Sequence, residues 1–165
     1  MTRERVLMIG EAPGRADRFG RGQALGGRIE RRLAMLCDVD DASDLGRAFE
    51  RTNLLKRWPG PSPGGRGSRF PQREARAAAS AMIPSIVGRR VVLVGLRTAA
   101  AFGLEGRELF EFQAVDGAPG AKVAIVPHPS GVNRWWNSRS NVERARRFFE
   151  RLALDGKQGV ASRAE

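Results

Sequence analysis

Apolar residues in this chain fall into short solid runs and into stretches of helical period, and the two kinds alternate. Residues 5–9, ending at Gly10, and residues 90–95 are runs that predict strands buried on both faces. Residues 49–55, 110–115 and 122–126 predict three further strands, the last two joined by a Gly/Pro turn at residues 116–120. Residues 28–36 place Ile29, Leu33 and Leu36 on one helical face. Residues 71–86 open on Pro71 and continue through alanines, with Pro84 ending or kinking the helix. A short helix over 97–102 follows Gly95, and a last one over 138–154 turns Val142, Ala145, Phe148, Phe149 and Leu152 inward. Strand and helix in alternation predict a three-layer α/β/α sandwich around a mainly parallel central sheet. One domain is expected over residues 1–155, with 156–165 a disordered basic tail.

Ligands of such sheets bind beyond the carboxyl ends of the strands. The loops there, residues 10–27, 56–69 and 127–137, hold the single His, all three Trp and most of the Gly and Pro. Prolines in residues 58–67 forbid a helix and make that segment an exposed loop.

Composition narrows the partner. Among 165 residues, 29 Lys and Arg face 18 Asp and Glu, a net charge of +11, which points to a polyanion and first to nucleic acid. A general arginine bias would yield the same number, since Arg144, Arg146, Arg147 and Arg151 sit on an ordinary solvated helix face. No apolar run approaches the ~20 residues that span a bilayer. No secretory leader is read at the N-terminus, so a monomeric cytoplasmic protein with no membrane partner is expected. With one Cys and one His, no Cys/His metal cluster is expected.

Two motifs carry more information. Gly10-Glu11-Ala12-Pro13-Gly14 after the first strand and Val126-Pro127-His128-Pro129-Ser130 after the last, with Thr52-Asn53-Leu54-Leu55-Lys56 between them, resemble the signature of the uracil-DNA glycosylase superfamily over roughly residues 4–154. The first motif looks most like the GEAPG (family 4-like) branch, and residues 22–27 are similar to the stretch that follows it there. Asn133 after the second motif is similar to the single-strand-selective branch. Members of the GEAPG branch hold an iron–sulfur cluster on four cysteines. With Cys37 alone, no cluster and no other cofactor is expected here, and the chain reads as a cluster-free relative.

The resemblance implies roles that the chemistry explains. Breaking the N-glycosidic bond leaves a uracil anion and an electron-poor sugar, which call for a donor at the base and a positioned water at the sugar. His128 is implied as the donor to uracil O2 and Glu11 as the carboxylate that orients water and supports the sugar cation, with Asp17 a second acidic candidate. Where the classical uracil glycosylases carry an Asp, this chain has Ala12, a position implied to lie at the base. Asn53 is the implied base reader, its amide donating to O4 while accepting from N3–H. The stacking position holds Leu25, or Phe19 if the loop threads differently. Arg134, Trp135 and Trp136 stand where the superfamily carries its intercalating loop, although the two tryptophans also suit packing under the last helix. Ser130, Gly131 and Asn133, with Lys56, Arg57, Arg66 and Arg69, are implied contacts to DNA.

The leading expectation is a monofunctional glycosylase that removes uracil from DNA, because neither motif carries a lysine placed as a Schiff-base nucleophile. Alternatives are a glycosylase for another deaminated base such as hypoxanthine or xanthine, and a module that binds uracil or lesions without cutting. A phosphate-ligand enzyme is weaker still, since neither G-x-x-x-x-G-K-[ST] nor G-x-G-x-x-G occurs.

Overall fold

The computed structural model describes residues 5–161. Four strands, β1 (Val6–Gly10), β2 (Phe49–Asn53), β3 (Arg90–Val94) and β4 (Lys122–Val126), form one parallel sheet in the order β2-β1-β3-β4. β1 and β3 lie inside the sheet, as their apolar runs demand. Successive strand residues point to opposite faces, so each strand feeds two cores. Val6, Met8, Val92, Val94, Ala124 and Val126 meet the helices α1 (Arg28–Leu36), α2 (Ala42–Ala48) and α5 (Arg139–Ala161) through Leu33, Leu45, Phe148 and Phe149. On the other face Leu7, Ile9, Val91, Leu93, Val123 and Ile125 meet α3 (Gln72–Ile86) and α4 (Leu96–Ala101) through Ala75, Ala79, Ile86 and Ala99. The three-layer α/β/α sandwich is the observed fold.

The structure departs from expectation in several elements. α2 was not expected: Asp41 caps it by accepting from the Ser43 amide at 3.0 Å, a local signal, and buried Leu45 anchors it. Residues 110–115 are not a strand. Phe110 has φ 62°, which turns the chain, and only isolated bridges join Leu109 to Ile125 and Gln113 to Val123. The left-handed backbone at Phe110 breaks the extended run, while Phe110 and Phe112, two residues apart and so on one side of the chain, both pack on Phe148. α3 continues past Pro84 to Ile86. β2 stops at Asn53, yet the Leu54 and Leu55 amides still donate to the carbonyls of Gly10 and Glu11, each at 2.8 Å. α5 runs to Ala161 where a frayed tail was expected from residue 156, and residues 162–165 lie outside the described part.

Candidate active site

Parallel strands bring their carboxyl ends to one edge, and those of β1, β2 and β4 carry candidate site residues. Gly10 and Asn53 are register partners, Glu11 follows Gly10, and His128 stands two residues beyond the end of β4. Between them β3 ends at Val94, and the φ of 112° at the following Gly95 turns the chain into α4.

Gly10 is where two site residues approach the backbone. A Cβ added there would lie 2.6 Å from Leu25 Cδ2 and 2.8 Å from Asn53 Oδ1. Leu25 is buried, so it and not Phe19 forms the apolar wall beside Asn53. Phe19 is 60% exposed, with the guanidinium groups of Arg18 and Arg21 6.0 and 5.5 Å from its ring centroid. For Gly10→Ala we expect displaced Leu25 and Asn53, a stability loss of about 1–3 kcal/mol and a melting temperature lower by several degrees. Thermal denaturation checks this, and an unchanged melting point would show the wall to be loose.

Asn53 also lines a cleft of about 360 Å³, together with Pro13, Gln23, Thr52 and Lys56. Lys56 Nζ donates to Thr52 Oγ1 at 3.2 Å and to the Asn53 carbonyl at 3.0 Å, so this expected DNA contact also braces the end of β2. Gly20 packs against the Lys56 carbonyl, and the Trp58 amide donates to the Arg18 carbonyl at 2.9 Å. These contacts tie the loop after β1 to the loop after β2.

Asp17 shapes the first loop. Its two carboxylate oxygens accept from the amides of Arg21 and Gly22, each at 3.0 Å, so this acidic candidate also holds the backbone of its own loop. Ala12 is half-buried against the α3 side of the sheet and offers no polar group.

Glu11 is the carboxylate at the strand edge, and it is held. Arg97 on α4 donates from Nε to Oε1 at 3.1 Å and from Nη2 to Oε2 at 2.6 Å, a bidentate pair. No motif or spacing marked Arg97 in the sequence, because its partner lies 86 residues away.

His128 is mostly buried, and loss of hydration pushes its pKa below the usual 6.5; the nearby Glu11 carboxylate opposes this and Arg97 adds to it. At neutral pH the ring is therefore neutral, with one N–H to donate. Because the unfolded chain protonates His128 more readily, this group's stabilising contribution is full above pH 6.5 and is lost as pH falls toward the lowered folded value. The drop in melting temperature between about pH 7 and pH 5 should accordingly be smaller in His128→Asn than in the native protein.

The main chain of His128 is fixed as well. Its carbonyl accepts from Asn133 Nδ2 at 3.1 Å and from Trp136 Nε1 at 2.9 Å, while Asn133 Oδ1 accepts from the Trp135 amide. This corrects one expected DNA contact, since Trp136, 6% exposed, sits in the core, while both ends of the half-buried Asn133 amide brace the loop. Half-buried Trp135 packs on Phe110 and Trp136, so the tryptophans lie under α5 and do not project. What projects from this loop is Val132, 91% exposed between Gly131 and Asn133, which sequence reasoning missed because a lone valine gives no pattern. Ser130 is half-buried, and Gly131 and Arg134 are exposed beside it.

The proline-rich loop is a tied hairpin. Pro61 bridges Ser68, the Arg69 amide donates to the Gly60 carbonyl, and Trp58 Nε1 donates to Ser68 Oγ at 2.9 Å. Arg57, Arg66 and Arg69 are exposed on it and next to it. Between this loop, α3 and α4 lies a second cleft of about 290 Å³, lined in part by Arg69, Phe70, Arg76 and Arg97. Among the described residues, no group of His, Cys, Asp and Glu can hold a metal ion, and none of their helices is long and apolar enough to cross a membrane.

Comparison with protein families gives a match to the Uracil DNA glycosylase superfamily over residues 2–153. No curated protein matches the chain.

Proposed function

This chain belongs to the Uracil DNA glycosylase superfamily, and from that premise we propose that it is a monofunctional enzyme that hydrolyses the N-glycosidic bond of uracil in DNA. The observation that carries the reading is the meeting of Glu11 and His128 at one strand edge, with Asn53 in register beside Gly10. In the reaction the C1′–N1 bond breaks with its electron pair leaving on uracil. Water adds to the cationic C1′ and gives up a proton, leaving free base and an abasic site. Neutral His128 donates its N–H to O2 as negative charge grows there. Glu11 orients the water and lowers the energy of the sugar cation. Asn53 reads O4 and N3–H, a pattern cytosine does not present.

Reaching a base in this cleft requires extruding it from the stack, at a cost of a few kcal/mol. Val132 suits the vacated space by its exposure at the loop tip. Ser130, Gly131, Arg134, Arg57, Arg66 and Arg69 supply phosphate contacts, consistent with the charge of +11. Lys56 is occupied with Thr52 and Asn53, which supports hydrolysis without a lyase step.

The nearest branch in this reading is the GEAPG one, without its cluster. The donor set does not fit an iron–sulfur group, because the chain has one cysteine and Cys37 is buried at the end of α1. We read the enzyme as a cytoplasmic monomer. A second reading, removal of hypoxanthine or xanthine, is favoured by aliphatic Leu25 at the stacking position.

Single-turnover cleavage of labelled oligonucleotides carrying uracil, hypoxanthine or xanthine, single-stranded and paired, tests both. Abasic sites from uracil alone support the first reading, and sites from a purine alone support the second. Tight binding with no cleavage of any would leave a lesion-binding module.

A further inference from the structure

Arg97 is a site-edge side chain that touches both the strand end and the proline-rich loop. Its Nε and Nη2 grip the two oxygens of Glu11, its Nη1 approaches the Ser68 carbonyl at 3.4 Å, and its guanidinium lies 5.0 Å from the centroid of Phe70. Gly95 makes room for the pair, since a Cβ there would stand 3.2 Å from Glu11 Oε1. The Glu11 side chain is 15% exposed and that of Arg97 50%, so the fork approaches from the solvent side and seats the carboxylate inward.

We propose that Arg97 is a positioning residue, which fixes the carboxylate of Glu11 in one orientation toward the sugar and ties that orientation to the proline-rich loop. The inference rests on the glycosylase reading of Glu11. A carboxylate has about four lone-pair sites, and a bidentate guanidinium takes two, one on each oxygen. The remaining lone pairs face away from Arg97, which sets where a water is held. A point charge cannot do this, because an ammonium rotates freely and grips one oxygen at a time. Arg97 does not reach the base or the sugar in this role; it acts through Glu11.

The chain's single histidine supplies an independent readout. Glu11, on the loop after β1, and Arg97, on α4, act on His128 with opposite signs, the carboxylate favouring its protonation and the guanidinium opposing it. Arg97→Met should slow single-turnover uracil release about tenfold, the scale of a lost charged hydrogen-bond pair. It should also raise the His128 titration midpoint followed by NMR, while DNA binding stays near native. Arg97→Lys should restore the midpoint and only part of the rate. A folded Arg97→Met with native rate and native midpoint overturns the proposal. Should that variant not fold, an Arg97→Lys enzyme as fast as the native one overturns it instead. If the native protein cleaves no uracil, the glycosylase reading fails; a shifted midpoint in Arg97→Met would still report the contact among Arg97, Glu11 and His128.

Discussion

Single-turnover release of uracil is expected to fall by roughly 100-fold or more in His128→Ala, the loss typical of removing one donor aimed at developing charge. The donor is worth this much because its surroundings are prepared in advance. Its ring is held neutral by burial, and its main chain is locked by the indole of Trp136 and the amide of Asn133. Little reorganisation is then needed as charge moves onto O2, and a water entering the vacated space would be less well aimed. DNA binding should change little, since the positive charge on the exposed loops is untouched. A variant with the native single-turnover rate would remove His128 from the chemistry.

The second large effect is expected at the base. Asn53→Asp should lower uracil cleavage by about 100-fold and shift preference away from uracil, because an ionised carboxylate only accepts and would set lone pairs against O4. The neighbourhood worsens the fit. Lys56 Nζ already bonds the Asn53 carbonyl at 3.0 Å and would draw a carboxylate toward itself, away from the base. Gly10 leaves no slack on the other side, where Oδ1 lies 2.8 Å from the position of a Cβ. Competition between uracil- and cytosine-containing oligonucleotides measures the shift. Equal rates on uracil for the native protein and Asn53→Asp would place base reading elsewhere.

Much of the architecture was legible in the chain itself. The solid apolar runs became β1, β3 and β4, because a strand buried on both faces must be apolar at nearly every position. Four of the helices announced themselves by period or by proline and glycine at their ends. That Glu11, Asn53 and His128 gather at one edge was legible because each stands beside a strand end, and parallel strands collect those ends together. Tertiary structure decided the rest. Residues 110–115 have a strand-like composition, yet the left-handed backbone at Phe110 breaks the run and leaves only isolated bridges, one of them to β4 from Gln113. Trp136 was open to two readings until the core of α5 and the His128 carbonyl claimed it, and that leaves Val132 at the tip. Asp17, an acidic residue near the motif, was claimed by two backbone amides of its own loop. Arg97 carries no local signal at all, since its grip on Glu11 exists only once β1 and β3 lie side by side. Period and motif report what a residue does with its near neighbours in sequence; which groups share a carboxylate or a carbonyl depends on contacts that only the closed fold creates.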